Sequence, residues 1–424
     1  MNARTLWLLK LLRDITLMPL VILMPRNRKK IVFGAWGGKQ FGCNPKYLFE
    51  YMCRNGGFKC VWIGNKSLKA DVLKVPNAHF AAKGSLLALW HCLTARFYAH
   101  NVQWRSDIIN FPRCRRFEVL YLTHGFPDKK SGSFQYNGNG PEAQKLEMRS
   151  WFRQKLHDGV VCLNKFLYGQ ESWFSASSKQ GEDLRVNGVP WRLSHDRAIK
   201  AGIPRADFLI CNKDNVVLKK KLRENLSKIL GVPADKRWTL FVPTWRHEAK
   251  YLFSFATSSR RGEYERLFAA NNEVLIEKQH PKTLEDMPIQ ASPSSTICPV
   301  TTEQGRQIDT QELLMACDRL ITDYSSVYYD FVLMNRPVIH FIYDYEHFMN
   351  LDMGFEFDIK DYGGGPFAET EDELLQCLGL TDKELLKERN SSTVEIQLTY
   401  EKGHSCESYV KLIEKLACKS SFWV

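Results

Sequence analysis

At 424 residues, with 44% hydrophobic and 25% charged side chains, the chain is too long for one ordinary core and too apolar for extended disorder, so two globular domains are expected. A formal charge of +12 favours acidic partners, and the lack of a zinc-finger or RNA-recognition signature argues against nucleic acid. Twelve cysteines without a C-x-x-C pair read as reduced core thiols of a cytosolic protein.

Residues 5–24 (TLWLLKLLRDITLMPLVILM) form the most apolar stretch, interrupted by Lys10, Arg13, Asp14 and Pro19 and followed by the basic cluster Arg26–Lys30. A spanning helix or a cleaved signal peptide fits this poorly. An in-plane amphipathic anchor over residues 1–29, with basic residues on an anionic membrane surface, fits better; a buried N-terminal helix is the alternative. A first domain over 30–209 then opens with the strand KIVFGAWGG. A helix from Asn44-Pro45 and the strand FKCVWIGN follow, a βαβ rhythm that implies a parallel sheet. Ser85–Thr94 reads as a helix, and ARFYAHN and FEVLYLTHG as strands. Residues 128–158 read as a long polar loop suited to covering a substrate, and GVVCLNKF (159–166) as another strand.

The helix Val216–Leu230 and the turn after it read as a linker over 210–235. A second domain over 236–400 carries strands RWTLFV, EVLIE, STICPV, RLIT and RPVIHF, and 401–424 supplies a last helix. Arg319–Asp330 (RLITDYSSVYYD) is the stretch the rest is arranged around, reading as strand, tight turn and helix. A helix entered through Thr, Asp and Ser offers amide N–H groups and a positive dipole end to phosphate, although the same residues also serve as plain caps. Two such domains with polar turns at strand C-termini suggest a cleft between them.

Four turns stand together: YLTHGFPDKKSG (121–132), FVPTWR (241–246), KQHPK (278–282) and DTQELLMACDRLITDYSSVYYDF (309–331), with GCNPKYLFEYM (42–52) before them. In that order and spacing they resemble the CDP-glycerol glycerophosphotransferase family of teichoic acid and related capsule polymer synthesis. The resemblance implies an α/β, glycosyltransferase-B-like architecture of two Rossmann-like domains. It also implies transfer of a polyol phosphate, glycerol phosphate foremost, from a CDP-linked donor to a hydroxyl of a lipid-linked or polymeric acceptor. CMP is released, at the cytoplasmic face of the membrane.

By the same resemblance His124 is the candidate general base, against the alternative of a histidine satisfied within its turn. His280 and Lys278 fall on the donor side, where His280 would hydrogen-bond the diphosphate. Arg246 would bridge phosphate oxygens bidentately. Gly125, Thr244, Thr322, Asp323, Tyr324, Ser325 and Ser326 complete the donor set. Asp330 would orient a histidine or polyol hydroxyls, or form a salt bridge. Asn44, Lys46, Lys129 and Lys130 fall on the acceptor side, and Asp309 and Glu312 read as helix caps. Phe126 departs from the small hydroxyl usual two residues after the first-motif histidine. No His/Cys set has ligand spacing and Asp344 and Glu346 are poor metal bridges, so no cofactor and no metal are expected, with Mg²⁺ dependence left to a chelator test. Two readings compete: a nucleotide-sugar glycosyltransferase of the same architecture, and a non-catalytic protein that binds anionic polymer.

Overall fold

A computed structural model describes residues 16–109, 114, 116–130, 172–188, 193–246, 251–286, 292–351, 354–387 and 393–418. The chain divides into two compact units. Described residues of the first fall within 1–124, 132–207 and 400–424; those of the second fall within 125–131 and 208–399. The strand expected at 159–166 and most of the polar loop at 128–158 lie outside the described residues.

The first unit is built on seven parallel strands: β1 (Asn27–Phe33), β2 (Lys59–Gly64), β3 (His79–Ala82), β4 (Ala95–His100), β5 (Glu118–Tyr121), β6 (Trp173–Ser175) and β7 (Ala198–Ile199). Their order is β3-β2-β1-β4-β5-β6-β7. Because successive side chains alternate across a strand, Ile31 and Phe33 face one side and Val32 the other, and both sides are covered. Ile31, Phe33, Trp62 and Phe97 meet Leu48, Phe49 and Met52 of helix α1 (Cys43–Asn55). Val32, Val61 and Tyr98 meet Ala88 and Cys92 of α2 (Leu86–Thr94), which Ser85 caps through the Ala88 N–H.

Of the N-terminal segment, residues 16–23 are helical, and Val21 is fully buried in that second core. No helix among the described residues is long and apolar enough to cross a membrane. The basic cluster does not all face outward. Arg26 donates to the carbonyls of Val21 and Cys92, each at 2.8 Å, and buried Lys30 donates to Thr94 Oγ1 at 2.6 Å, leaving Arg28 and Lys29 exposed.

In the second unit six parallel strands, β8 (Arg237–Val242), β9 (Glu273–Glu277), β10 (Ile297–Pro299), β11 (Arg319–Thr322), β12 (Val338–Phe341) and β13 (Phe367–Ala368), run in the order β10-β9-β8-β11-β12-β13. The segment expected as a linker is instead part of this unit. Helix α3 (Val216–Leu230) buries Leu222, Leu226 and Leu230, and Lys219 and Arg223 pair with Asp318 just before β11. Helices α4 (Thr310–Ala316) and α5 (Val327–Phe331) flank β11. The last helix, Ser405–Cys418, does not stand apart as a separate segment. It returns to the first unit, where Asp207 accepts from the Ser405 and Cys406 N–H groups at 2.8 and 2.7 Å and Tyr409 and Ile413 join the α1 core.

Candidate active site

In each sheet the strand order reverses direction at one place, between β1 and β4 and between β8 and β11, and ligands of such sheets bind beyond the strand carboxyl ends there. The sequence puts its polar turns at those ends. In the second unit, β8 runs into Pro243-Thr244-Trp245-Arg246 and β11 into Asp323-Tyr324-Ser325-Ser326. One carboxylate ties the two turns: Asp323 Oδ1 accepts from the Thr244 N–H at 2.8 Å, and its Oδ2 accepts from Arg246 Nη2 at 2.7 Å.

Arg246 is not placed to bridge phosphate. Its side chain is wholly buried and its donors are engaged: Nε and Nη2 with Asp344 at 2.7 and 3.0 Å, Nη2 with Asp323, and Nη1 with the Thr244 carbonyl at 2.8 Å. Tyr324 and Phe348 lie against the guanidinium at 5.0 and 5.3 Å. Burial opposes the charge, but Asp323, Tyr343 and Asp344 more than offset it and raise the pKa. Thr322 and Tyr324 are also turned inward, the threonine hydroxyl donating to the Val242 carbonyl at 2.8 Å and the tyrosine hydroxyl to Asp344 at 3.1 Å. Ser325 and Ser326 remain half-buried, and the Ser326 side chain does not cap its own helix. Thr244 Oγ1 is buried with no hydrogen-bond partner among the described residues. Asp330 is buried and accepts from Gln311 Nε2 at 3.3 Å, while Asp309 caps α4.

Beyond β9 come Lys278 and His280. Burial lowers the Lys278 pKa, with Asp309 acting the other way. His280 Nδ1 accepts from the Lys282 N–H at 3.1 Å, so the ring proton of the neutral form resides on Nε2 and that nitrogen is a donor. Close surrounding by protein, then Lys278, Lys129 and Lys282, lower the His280 pKa. The residue remains exposed to solvent, which weakens the effect of burial and leaves the three lysines as the stronger influence.

Residues 125–131 belong to this second unit. An added Cβ at Gly125 would lie 2.8 Å from Ser326 Oγ, which accounts for a glycine where the chain approaches the serine turn. Phe126 stacks on Tyr329 of α5 at 4.7 Å, a partner that a small hydroxyl could not give. Lys129 bridges to Phe355, and the Lys130 N–H donates to the Gly354 carbonyl at 3.2 Å. Lys129 therefore belongs to the unit that holds His280, close enough to act on its charge. Asp128 is buried beside Tyr329, and burial pushes its pKa up to about 6 against the opposing pull of Lys129.

In the first unit His124 follows β5 with an exposed side chain. Its Nδ1 lies 3.2 Å from the Asn101 carbonyl, which can only accept, so Nδ1 carries the proton and the basic lone pair resides on Nε2. The preceding residue, Thr123, holds a left-handed φ of +55° and is pinned by Ser175 Oγ at 2.9 Å. Asn44 is fully buried and does not reach an acceptor: Nδ2 donates to the carbonyls of Leu122 and Thr123, and Oδ1 accepts from the Arg205 N–H. Arg205 closes the turn by donating to the His124 carbonyl at 2.8 Å. Lys46 lies over the rings of Phe41 and Tyr47 at 5.8 and 5.4 Å.

The sequence singles out none of Tyr329, Asp128, Arg205 and Asn101 for a role, and it offers Asp344 only as a poor metal bridge. Asn101 had a signal, since it is the polar residue ending the strand beside the reversal in order. Among the described residues no group of three or more His, Cys, Asp or Glu is placed to hold a metal ion.

The chain is matched over residues 16–415 by the family model described as CDP-glycerol:poly(glycerophosphate) glycerophosphotransferase. It is 27% identical over 404 residues to a teichoic acid poly(glycerol phosphate) polymerase of Bacillus spizizenii, covering 93% of each chain. It is 24% identical over 365 residues to a teichoic acid glycerol-phosphate transferase of Staphylococcus aureus, covering 84% of this chain and 85% of the relative. Among solved structures, the wall teichoic acid polymerase TagF superposes with a TM-score of 0.73 at 20% identity, covering 96% of this chain and 97% of that one. That likeness shows the fold, two parallel-sheet α/β domains.

Proposed function

The chain belongs to the CDP-glycerol:poly(glycerophosphate) glycerophosphotransferase family, and from that premise we propose the residues by which it moves glycerol phosphate from CDP-glycerol to a hydroxyl of a polymeric acceptor. The observation that carries the reading is the pair of histidines fixed in opposite tautomers, His124 with its lone pair on Nε2 and His280 with its proton there.

The acceptor oxygen attacks the phosphorus that bears glycerol while the acceptor proton passes to His124 Nε2. The bond from that phosphorus to the bridging oxygen breaks, and its electron pair departs with CMP. His280 Nε2–H and the Lys278 ammonium meet the charge that grows on the leaving phosphate, a stabilisation that is largest when the donors are already in place. The Ser325-Ser326 turn and the unpartnered Thr244 hydroxyl supply further donors to the diphosphate. Arg246 acts through Asp323, which it holds against both turns.

The acceptor is lipid-linked and the enzyme works as a peripheral protein at the cytoplasmic face. Supporting this, Leu20, Leu23, Leu86, Leu87 and Trp90 of the first unit are 41–85% exposed near exposed Arg28 and Lys29, the combination that seats a surface in an anionic bilayer. Sedimentation with vesicles containing phosphatidylglycerol, lost when Leu86, Leu87 and Trp90 become Ser, tests this. Undiminished sedimentation of the triple variant would reject it. For the chemistry, His124→Gln should bind CDP-glycerol and release no CMP, and unchanged release would reject His124 as base.

A further inference from the structure

We propose that Trp36 is a specificity-determining residue for the acceptor, its indole forming the wall against which the polyol terminus lies while the hydroxyl meets His124. The inference rests on the function proposed above. Trp36 follows β1, at the place where the strand order of the first sheet reverses. It is 37% exposed, and its centroid lies 5.5 Å from that of His124. It holds a left-handed φ of +49°, a conformation costly for a bulky side chain. Thr123 (+55°) and Cys43 (+59°) share that conformation, and they adjoin His124 and its support Asn44. Three strained residues in one turn cluster are a feature that sites retain when the surrounding structure enforces it.

Asn101 does the enforcing. It is fully buried, its Oδ1 accepts from the Trp36 N–H at 3.1 Å, and its main-chain carbonyl is the acceptor for His124 Nδ1. One residue thus sets both the indole and the imidazole. Its Nδ2 has no hydrogen-bond partner among the described residues, where the side-chain amide is bonded through Oδ1 to the Trp36 N–H. The resulting surface joins an apolar face to a proton acceptor. A polyol terminus has the matching chemistry, C–H groups on one side and a hydroxyl on the other, whereas a bare phosphate does not.

The test uses the full chain, CDP-glycerol, and a lipid analogue ending in a short glycerol phosphate oligomer, with Trp36→Ala and Trp36→Phe. Trp36→Ala should raise the acceptor KM about tenfold and leave the CDP-glycerol KM within about twofold, and Trp36→Phe should recover most of the loss. An unchanged donor KM also shows that the variant is folded. An acceptor KM indifferent to Trp36→Ala, or donor and acceptor KM rising together, would overturn the proposal while parental turnover leaves the functional reading standing. No CMP release by the parent chain would overturn both.

Discussion

Replacing Arg246 with lysine separates a structural keystone from a phosphate ligand. The guanidinium makes two charge-assisted bonds to Asp344 at 2.7 and 3.0 Å, one to Asp323 at 2.7 Å, and one to the Thr244 carbonyl at 2.8 Å. An ammonium on a flexible stem cannot span both carboxylates in that fork, so at least two charge-assisted bonds disappear and one buried carboxylate is left short of its partner. At about 1.5–3 kcal/mol for each such bond, the second unit should lose about 3–5 kcal/mol. For a unit of this size that corresponds to a fall in Tm of about 10 °C, read by differential scanning calorimetry. Saturating CDP-glycerol should restore part of the fall by mass action. An unchanged Tm together with a raised CDP-glycerol KM would refute the reasoning and return Arg246 to the diphosphate.

His124→Gln should lower CMP release by about a thousandfold while calorimetry finds CDP-glycerol affinity within about threefold of the parent, because the imidazole acts on the acceptor proton. His280, whose pKa is depressed by its surroundings and three lysines, should titrate by NMR below the usual histidine range in the free protein and at higher pH once the anionic donor is bound; an unchanged midpoint would place it away from the diphosphate. Asp128 has a folded pKa raised to about 6, so its contribution favours folding at low pH and is lost as pH rises through that value. Asp128→Asn should therefore gain most over the parent at pH 8, about half as much at pH 5, and nothing below about pH 4, measured as Tm, and a gain that does not depend on pH would contradict this.

The two parallel sheets were legible because strands buried on both faces read as continuous apolar runs, as KIVF, TLFV and EVLIE do. The turns TDYSS and PTWR were legible because the chain changes there from apolar to polar in one step. Trp173–Ser175, Ala198–Ile199 and Phe367–Ala368 were not, since two or three residues carry no period and their place is set by the neighbouring strand. The inward turn of Arg246 depends on carboxylates 77 and 98 residues away, a pairing no local pattern encodes. Lys129 shares the 121–132 motif with His124, yet the chain crosses from one unit to the other immediately after that histidine. Likewise the return of Ser405–Cys418 to the first unit rests on Asp207, some 198 residues earlier.

Mass spectrometry of a defined acceptor after incubation with the purified chain and CDP-glycerol, with the released nucleotide identified in the same reaction, bears most directly on phosphoryl transfer. The account requires one glycerol phosphate gained for each CMP released. Release of CDP with glycerol alone added, or CMP formed without any gain in acceptor mass, would contradict it.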